Sequence, residues 1–355
     1  MKRILAINPG STSTKIAVFE DNREVFKKTI SHSEEALAPY PHIVDQYELR
    51  REAIEKNLEE NDFAIGDFDC FVGRGGLVKP IPSGTYRVSK TMLEDLKHSP
   101  LGEHASNLGG MIAHEFENET GKPSYIVDPV VVDEMEDIAK VTGFPEIKRH
   151  SIFHALNQKA VARRCADDIG KPYKDINLIV VHLGGGISIG AHRRGEVIDV
   201  NNALNGDGPI APERAGSVPA AGLIRFVSET DLDDRALNKR LAGNAGIVAH
   251  LGTNNMREVE DRVKAGDEKA ALVYKAMAYN IAKWVGASAA VLKGDIDGIA
   301  ITGGLANDKD FINWIKEMIS FLGDIYVYPG EDEMNALAMG GYRVLTGEEE
   351  AREYK

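Results

Sequence analysis

The feature that most constrains the fold is a pattern that occurs twice, about half a chain apart. Each copy has a short apolar run, a turn of glycine or hydroxylated residues, a second apolar run, a polar turn and a third run. The copies span residues 3–30 and 177–200. Apolar or alternating runs bounded by turn residues predict β-strands, so each copy predicts successive hairpins. The repetition predicts a duplicated fold with a boundary near residues 145–150.

Helical patterns lie between and after these strands. Strands alternating with helices predict α/β domains with mixed sheets. We expect an N-terminal domain over 1–150 and a C-terminal domain over 151–355, the last helix being able to pack back on the first domain. The charged tail Glu348–Lys355 is expected to be frayed. The predicted helices are Val44–Asn61, Ser106–Glu119, Ile152–Ile169, Glu268–Leu292, Asp308–Leu322 and Glu331–Leu345.

Composition narrows the class of protein. Of 355 residues, 43% are hydrophobic and 27% are charged, proportions typical of a soluble globular protein. A net charge of −13 disfavours nucleic acid and anionic membranes as partners. We expect a cytoplasmic protein, because the sequence has neither an apolar run long enough to cross a bilayer nor a signal peptide. Cys70 and Cys165 form no CxxC pair and are predicted to be buried core thiols.

Three segments have the chemistry of phosphate-binding turns. Asn8–Lys15 is rich in hydroxyl groups and ends in lysine, Gly184–Gly186 is a glycine triplet, and Ile299–Ala306 is a strand running into two glycines. Backbone N–H groups in such turns can bind phosphate oxygens. An ordinary polar turn is the alternative for the first segment, although its run of hydroxylated residues closed by lysine favours phosphate binding, and a β-bulge is the alternative for the second. No GxxxxGK[ST] or GxGxxG occurs, which excludes a P-loop and makes a Rossmann dinucleotide site improbable.

Several motifs, in order along nearly the whole chain, resemble the acetate/butyrate kinase family of the actin-like ATPase superfamily. The resemblance implies a duplicated actin-like ATPase (RNase H-like) fold, with two domains of mixed sheets flanked by helices and a central cleft. The motifs are Asn8–Lys15, Gly73–Gly76, Gly102–Ala105, Ser151–Ala160, His182–Gly186, Gly206–Pro209, Gly303–Gly304 and Tyr328–Met334.

The activity that this resemblance implies is reversible, in-line phosphoryl transfer from ATP to a short-chain carboxylate, giving an acyl phosphate and ADP, with Mg²⁺ as cofactor. A carboxylate is already ionised at neutral pH and needs no general base. The obstacle is the repulsion between two anions, so positioning and charge neutralisation should dominate catalysis. Two other classes remain open at this point, namely a sugar-type kinase of the same superfamily and a non-catalytic actin-like switch.

The resemblance also assigns roles to individual residues. The implied catalytic residues are Arg74, Asp128, His154, Arg214 and Glu333. The implied nucleotide- and phosphate-binding residues are Asn8, Ser11, Ser13, Lys15, His182, Gly184, Gly185, Gly186, Asn255, Arg257, Gly303 and Gly304. The implied substrate pocket contains Gly76, His104 and Phe153, and the implied Mg²⁺ ligands are Asn8 and Glu333.

Each of these residues also has a simpler structural explanation. The two arginines are equally compatible with ion pairs, and His154 with a satisfied core histidine. Glu333 lies in an acidic run typical of a helix N-terminus, and Asp128 precedes a proline and can start a turn.

Departures from the family pattern bear on the substrate. Gly185 stands where acetate kinases usually have Asn, and Asn255 where they usually have Asp. Gly76 replaces a branched apolar residue near the substrate methyl group, which predicts free volume for a longer acyl chain. We therefore expect butyrate, or a branched acid such as isobutyrate, with an acetate/propionate kinase as the alternative. Family members associate, so a homo-oligomer (a dimer or higher) is expected, with the long helix Glu268–Leu292 as a candidate contact.

Overall fold

The computed structural model describes residues 1–98, 102–204 and 206–355, which form two compact units. The first unit contains residues 1–132 and 332–355, and the second contains residues 133–331. The division therefore lies earlier in the chain than the predicted boundary near 145–150. Residues after 132 belong to the second unit because Glu134 accepts hydrogen bonds there from the Lys159 ammonium at 2.6 Å and from the Val197 N–H at 2.9 Å.

Each unit is built on one mixed sheet. The first sheet has the order β3-β2-β1-β4-β6-β5 and the second the order β11-β10-β7-β8-β9. Each sheet has a three-stranded antiparallel meander followed by two strands parallel to the first strand of the meander, and the first sheet adds β5 antiparallel to β6. The shared arrangement confirms the predicted duplication. The strands are β1 (Arg3–Pro9), β2 (Ser13–Glu20), β3 (Arg23–Ser31), β4 (Cys70–Arg74), β5 (Thr85–Arg87), β6 (Ser124–Val127), β7 (Asn177–Leu183), β8 (Ile187–Arg193), β9 (Glu196–Val200), β10 (Gly298–Gly303) and β11 (Ile325–Pro329).

Helices cover the sheets, and among those described none is long and apolar enough to span a membrane. They are α1 (Glu34–Leu37), α2 (Tyr47–Glu59), α3 (Lys90–His98), α4 (Asn107–Thr120), α5 (Asp137–Lys140), α6 (Ala155–Ile169), α7 (Ala220–Ser228), α8 (Asp234–Leu241), α9 (Ile247–Leu251), α10 (Met256–Lys264), α11 (Glu268–Val291), α12 (Lys309–Ile319) and α13 (Glu333–Thr346).

In the first unit, helices pack on both faces of the sheet, and successive side chains of β4 point to opposite faces. Phe71 belongs to the core cluster that contains residues of α4. Val72 points to the other face, where it lies against Gly341 of α13. The last helix thus packs on the sheet of the first unit.

The second unit is organised in the same way. In β7, Leu178 and Val180 pack with residues of α6, whereas Ile179 and Val181 pack with residues of α11. His182, at the end of the same strand, lies two residues after Val180 and therefore points to the same face of the sheet, toward α6. This places the histidine beside the N-terminal turn of α6.

The strand predictions were confirmed closely, and the helix predictions less so. The predicted strands at 24–30 and 196–200 are β3 and β9. The helix predicted from Val44 begins at Tyr47, after a 3₁₀ turn over Ile43–Gln46. The helix predicted from Ile152 begins at Ala155, because His154 has φ −79° and ψ 60°, which is not helical, and occupies the N-cap.

The prediction of a frayed C-terminal tail was wrong. Tyr354 is only 4% exposed, and its hydroxyl donates to the Asp95 carboxylate at 2.6 Å. The Arg352 backbone N–H donates to the Thr85 carbonyl at 2.8 Å, which adds the tail to the edge strand β5. One buried aromatic ring and backbone pairing outweigh the charged composition of the segment.

The close packing of β4 on α4 makes a prediction about stability. A Cβ atom at Gly73 would lie 2.1 Å from the Gly109 carbonyl oxygen, whereas one at Gly66 would meet nothing within 4 Å. Gly73→Ala should therefore lower the free energy of unfolding by roughly 1–3 kcal/mol or more, since backbone must move. Urea denaturation followed by circular dichroism measures this, with Gly66→Ala as the matched control. Equal stability of the two variants would contradict the packing described here.

Candidate active site

Three predicted site residues of the first unit lie at one edge of its sheet. Asn8 is near the carboxyl end of β1, Arg74 ends β4, and Asp128 follows β6. These strands are parallel neighbours, with Ile7 in register with Gly73 and Arg74 in register with Val127. In open α/β sheets, the carboxyl ends of parallel strands form the ligand-binding edge.

Glu333 completes a hydrogen-bonded cluster with Asn8 and Arg74. The Arg74 guanidinium donates to one oxygen of the Glu333 carboxylate, and the Asn8 amide donates to the other at 2.8 Å. The same guanidinium lies 3.5 Å from the Asn8 amide oxygen. Glu333 is the first residue of α13, where the helix dipole favours a negative charge. The simpler explanations offered for these residues, an ion pair for Arg74 and a helix N-terminal charge for Glu333, therefore both hold, and they hold within the predicted site.

His104 is neutral and lies near Arg74. Burial lowers the pKa of His104, and the positive charge of Arg74 lowers it further. Its Nδ1 atom accepts from the Ser106 N–H at 3.2 Å, so the ring hydrogen is on Nε2. His104 can therefore donate one hydrogen bond through Nε2 without adding a charge.

Asp128 anchors a neighbouring segment. Its Oδ1 atom accepts from the Ser83 hydroxyl at 2.6 Å and from the Gly84 N–H at 2.8 Å. The residue is 2% exposed and has a φ of 39°, in the left-handed region. These contacts fix the backbone at the end of β6, and a direct role for Asp128 in a reaction stays a prediction.

The Asn8–Lys15 segment forms a β1–β2 hairpin whose tip is exposed at Ser11. Its backbone is held by Arg50 of α2, a fully buried side chain. The Arg50 guanidinium donates to the carbonyl oxygens of Gly10 at 2.8 Å, Ser11 at 2.9 Å and Ser13 at 3.1 Å. Burial lowers the pKa of Arg50, but a guanidinium remains charged at any physiological pH. The hairpin tip therefore sits on a buried positive charge, which favours phosphate binding there.

Lys15 and Ser13 lie on β2, beyond the tip. Lys15 is exposed and is in register with Asn8 across the hairpin, and Ser13 is half-buried. The Ser13 carbonyl accepts from the Gly10 N–H at 2.7 Å, which closes the turn.

The second unit has a corresponding edge at the carboxyl ends of β7, β10 and β11. His182 is in register with Thr302 of β10, and Gly303 pairs with Gly330. The glycine loop Gly184–Gly186 follows β7 directly. The glycine loop Gly184–Gly186 and the predicted nucleotide-binding residues Gly303 and Gly304 are therefore neighbours.

Two glycines of this loop lie against predicted site residues. A Cβ atom on Gly184 would lie 3.0 Å from His182 Nε2, and one on Gly186 would lie 2.7 Å from the Ala203 carbonyl oxygen and 3.8 Å from His154 Cε1. A side chain at Gly184 would crowd the His182 imidazole, whereas one at Gly186 would clash with the Ala203 carbonyl oxygen and only touch the His154 ring. At Gly185 a Cβ atom would have ordinary contact, 3.5 Å from the Glu213 carboxylate, so the loss of a side chain there is not forced by packing.

The two predicted histidines of this unit stack on each other. The rings of His154 and His182 are 3.8 Å apart and tilted by 15°. Nδ1 of His182 is 2.8 Å from the Asn157 side-chain oxygen, and its Nε2 is 3.1 Å from the Glu331 carboxylate. Nδ1 of His154 is 3.0 Å from the Ser188 hydroxyl. Both rings are therefore held in place by hydrogen bonds as well as by stacking.

Arg214 is brought to the glycine loop by its neighbour Glu213, whose N–H donates to the Gly185 carbonyl at 3.2 Å. The Arg214 guanidinium has weak contacts, both 3.4 Å long, to the carbonyl and the carboxylate of Glu213. Its Nε atom is buried and, within the described part of the chain, makes no hydrogen bond. A buried guanidinium N–H without an acceptor beside a phosphate-type loop fits an anionic ligand.

A cavity of about 390 Å³ brings Arg257 together with Gly304. A Cβ atom at Gly304 would meet nothing within 4 Å, so the backbone there is open to a ligand. Gly303 has a φ of 96°, and a Cβ atom on it would lie 2.3 Å from the Leu183 carbonyl oxygen. Asn255 instead caps α10 by accepting from the Arg257 N–H at 3.2 Å.

The proposed effect of Gly76 on the substrate pocket was wrong. A Cβ atom at Gly76 would lie 2.2 Å from the Asn107 side-chain oxygen and 2.6 Å from the Asn107 Cα atom. The N-terminus of α4 thus occupies the volume that the missing side chain was predicted to free. Phe153, another of the three predicted pocket residues, is 2% exposed and precedes His154.

The residues of the Glu333 cluster fit a magnesium ion. Mg²⁺ is usually bound by one or two carboxylates together with water and substrate phosphates. The Glu333 carboxylate and the Asn8 amide oxygen supply hard oxygen ligands of this kind. Among residues 1–98, 102–204 and 206–355, no three His, Cys, Asp or Glu side chains form an all-protein metal site.

Several residues that shape the site were missed in the sequence. Asn157 and Gln158 follow His154 by three and four positions and lie in the first turn of α6, directly after this N-cap residue. That spacing is a usable signal within the motif Ser151–Ala160. Arg50 gives no such signal, because it is one charge among many in an amphipathic helix.

Comparison with known proteins identifies related sequences and structures. The model of the acetokinase family matches residues 140–352. A probable butyrate kinase of Coprothermobacter proteolyticus is 52% identical over 353 residues, which cover 99% of both chains. Butyrate kinase 2 of Clostridium acetobutylicum is 51% identical over 353 residues, with the same coverage.

Two solved structures share the fold. Porphyromonas gingivalis acetate kinase has a TM-score of 0.80 at 20% identity, covering 97% of this chain and 100% of that chain. A propionate kinase from Francisella tularensis has a TM-score of 0.75 at 20% identity, covering 96% and 99%. This likeness confirms the predicted fold class.

Proposed function

This chain belongs to the acetokinase family, and on that premise we propose that it transfers the γ-phosphoryl group of ATP to butyrate, giving butyryl phosphate and ADP. The observation that carries the proposal is the guanidinium group at each strand edge, Arg74 in one unit and Arg214 in the other. A carboxylate acceptor is already an anion, so what it needs is positive charge rather than a base.

In the proposed reaction, a carboxylate oxygen of butyrate forms a bond to the γ-phosphorus while the bond from that phosphorus to the β–γ bridging oxygen breaks. ADP leaves with the bridging oxygen, and no proton is transferred. Arg74 and Arg214 offset the charge of the two anions. The hairpin tip over Arg50 and the loop Gly184–Gly186 hold the phosphates through backbone N–H groups.

The same proposal assigns the adenosine and the metal. The cavity lined by Arg257 and Gly304 takes the adenosine. Glu333 and Asn8 hold Mg²⁺, which supplies charge neutralisation to the phosphates when bound. An incoming phosphate then competes with the Glu333 carboxylate for Arg74, so the ion pair between them is expected to open when substrates bind.

The preference for butyrate is supported by the two relatives that are named as butyrate kinases. Gly76 does not support it, because Asn107 occupies the space beside this glycine. Because the proposed reaction needs a continuous supply of ATP, we propose a cytoplasmic location. Association of copies of this chain stays a prediction, and multi-angle light scattering would test it.

A hydroxylamine trap tests the proposed reaction. Protein, ATP, Mg²⁺ and each straight-chain acid from acetate to hexanoate are incubated with hydroxylamine, which converts acyl phosphate to a hydroxamate. We expect the largest kcat/KM with butyrate and a value about fifteenfold lower with acetate, since each of two methylene groups contributes about 0.8 kcal/mol. Hydroxamate formation that is fastest with acetate would contradict the substrate assignment, and none with any acid would contradict the reaction.

A further inference from the structure

A chain of hydrogen bonds leads from His154 into the interior of the second unit, through residues that the proposed reaction does not use. Four contacts make up this chain. They are 3.0 Å from His154 Nδ1 to Ser188 Oγ, 2.7 Å from Ser188 Oγ to Gln158 Nε2, 2.9 Å from Gln158 Oε1 to His192 Nε2, and 2.7 Å from His192 Nδ1 to the Tyr173 hydroxyl.

One backbone carbonyl fixes the direction of the chain. Besides the Ser188 hydroxyl, Gln158 Nε2 lies 3.1 Å from the Ser188 carbonyl oxygen. A carbonyl oxygen can only accept, so the amide nitrogen of Gln158 must be on this side. Its two hydrogens then go to the carbonyl and to the hydroxyl of Ser188, and its oxygen faces His192.

The orientation of the Gln158 amide also fixes the hydrogen positions at the inner end of the hydrogen-bond chain, at His192 and Tyr173. Because the Gln158 oxygen can only accept, His192 Nε2 must donate. His192 is completely buried, and burial together with the charges of Lys159 and Arg163 holds its pKa well below the ordinary value. The ring is therefore neutral, and its Nδ1 atom accepts from the Tyr173 hydroxyl.

The outer end of the chain reaches the predicted catalytic histidine. The Ser188 oxygen already accepts from Gln158, and His154 Nδ1 lies within reach of its hydrogen. We propose that the Ser188 hydroxyl donates to Nδ1 of His154 and thereby holds His154 as the neutral tautomer with its hydrogen on Nε2. Ser188 and Gln158 are then positioning residues.

Strand β8 leaves space for this chain of hydrogen bonds. Ser188, Gly190 and His192 alternate along β8 on the face that carries the chain. A Cβ atom at Gly190 would lie 2.5 Å from Gln158 Oε1 and 3.1 Å from His192 Nε2. Any side chain at Gly190 would displace the amide of Gln158, so glycine there leaves space for the hydrogen bond.

The catalytic meaning of this inference rests on the proposed function. A histidine with its hydrogen on Nε2 can donate to a phosphoryl oxygen from a fixed position, and it is ready to do so without prior rearrangement. Stacking on His182 sets the plane of the ring, and Ser188 decides which nitrogen carries the hydrogen.

Nitrogen NMR of the full chain tests the tautomer directly. With ¹⁵N-labelled histidine, the His154 signals are those that disappear in His154→Gln. We expect an unprotonated Nδ1 and a protonated Nε2 in the wild type, and a mixture of tautomers in Ser188→Ala. In that variant kcat should fall roughly tenfold, while KM for ATP changes less than about twofold. Ser188→Thr, which keeps a hydroxyl, should retain the wild-type tautomer.

The matched control is Ser288→Ala, which removes a buried serine hydroxyl from α11 in the same unit and should change neither readout. A wild-type spectrum with the hydrogen on Nδ1 overturns the proposal, and so does a Ser188→Ala variant that keeps a pure Nε2–H tautomer. The spectrum requires no turnover. If the wild type phosphorylates no carboxylate, the proposed function fails while the tautomer assignment is still decided by the spectrum.

Discussion

Arg74→Ala is expected to lower kcat/KM for butyrate by at least about a hundredfold, the scale of a lost transition-state contact. The Arg74 guanidinium pairs with Glu333 and lies 3.5 Å from the Asn8 amide oxygen. Its removal takes away the positive charge at the edge of the first sheet and leaves the Glu333 carboxylate without its charged partner, with the Asn8 amide as its remaining donor. Both effects make the approach of an anion less favourable. Steady-state kinetics with the hydroxamate trap measures the loss.

The matched control for Arg74 is Arg51→Ala in the same unit. Arg51 is also an ion-paired arginine, bound to Glu55 and Glu119 at 2.7 Å each, but it lies on α2 away from the strand edge. Its replacement should change kcat/KM less than about twofold. A loss below threefold in Arg74→Ala would remove this arginine from the site.

Arg214→Ala is expected to cause a loss of at least about a hundredfold, and for a more direct reason. This guanidinium has only contacts of 3.4 Å to Glu213, and its buried Nε atom makes no hydrogen bond within the described residues. Its binding capacity is therefore largely unused until an anion arrives. Because the alanine variant leaves a space of the same shape, added guanidinium ion should partly restore activity.

Arg262→Ala is the matched control for Arg214. Arg262 lies in the same unit and pairs with Asp267 at 2.7 Å, and its loss should leave kcat/KM within about twofold. Guanidinium rescue of Arg214→Ala at concentrations that do not affect Arg262→Ala would separate a missing charge from a damaged fold. Full activity of Arg214→Ala without rescue would contradict the assignment.

The sequence predicted the strands better than the packing between elements. The alternation over 24–30 depends on neighbouring residues alone, so it predicts β3 directly, and the polar turn before residue 196 likewise predicts β9. Gly76 was misinterpreted because its surroundings are set by Asn107, a residue far along the chain. The C-terminal tail was predicted to be frayed because of its charges. Its order instead depends on Tyr354, which is hydrogen-bonded to Asp95 of α3.

In the candidate site, too, the sequence predicted individual residues better than the contacts that hold them. His154, His182 and Arg214 could be predicted from the family resemblance, and the structure brings all three to the loop Gly184–Gly186. The residues that hold them could not be predicted from composition or periodicity. Arg50 is an example, because its function depends on the carbonyl oxygens of a hairpin formed by other strands.

The central claim is that a carboxylate oxygen attacks the γ-phosphorus of ATP, and isotope transfer tests it most directly. Butyrate labelled with ¹⁸O in both carboxylate positions is converted in the presence of ATP and Mg²⁺, and hydroxylamine then cleaves the acyl–oxygen bond of the product. Mass analysis of the released phosphate should find one ¹⁸O atom per phosphate, derived from the attacking oxygen. Release of unlabelled phosphate alone would mean that water is the acceptor, and it would contradict the account.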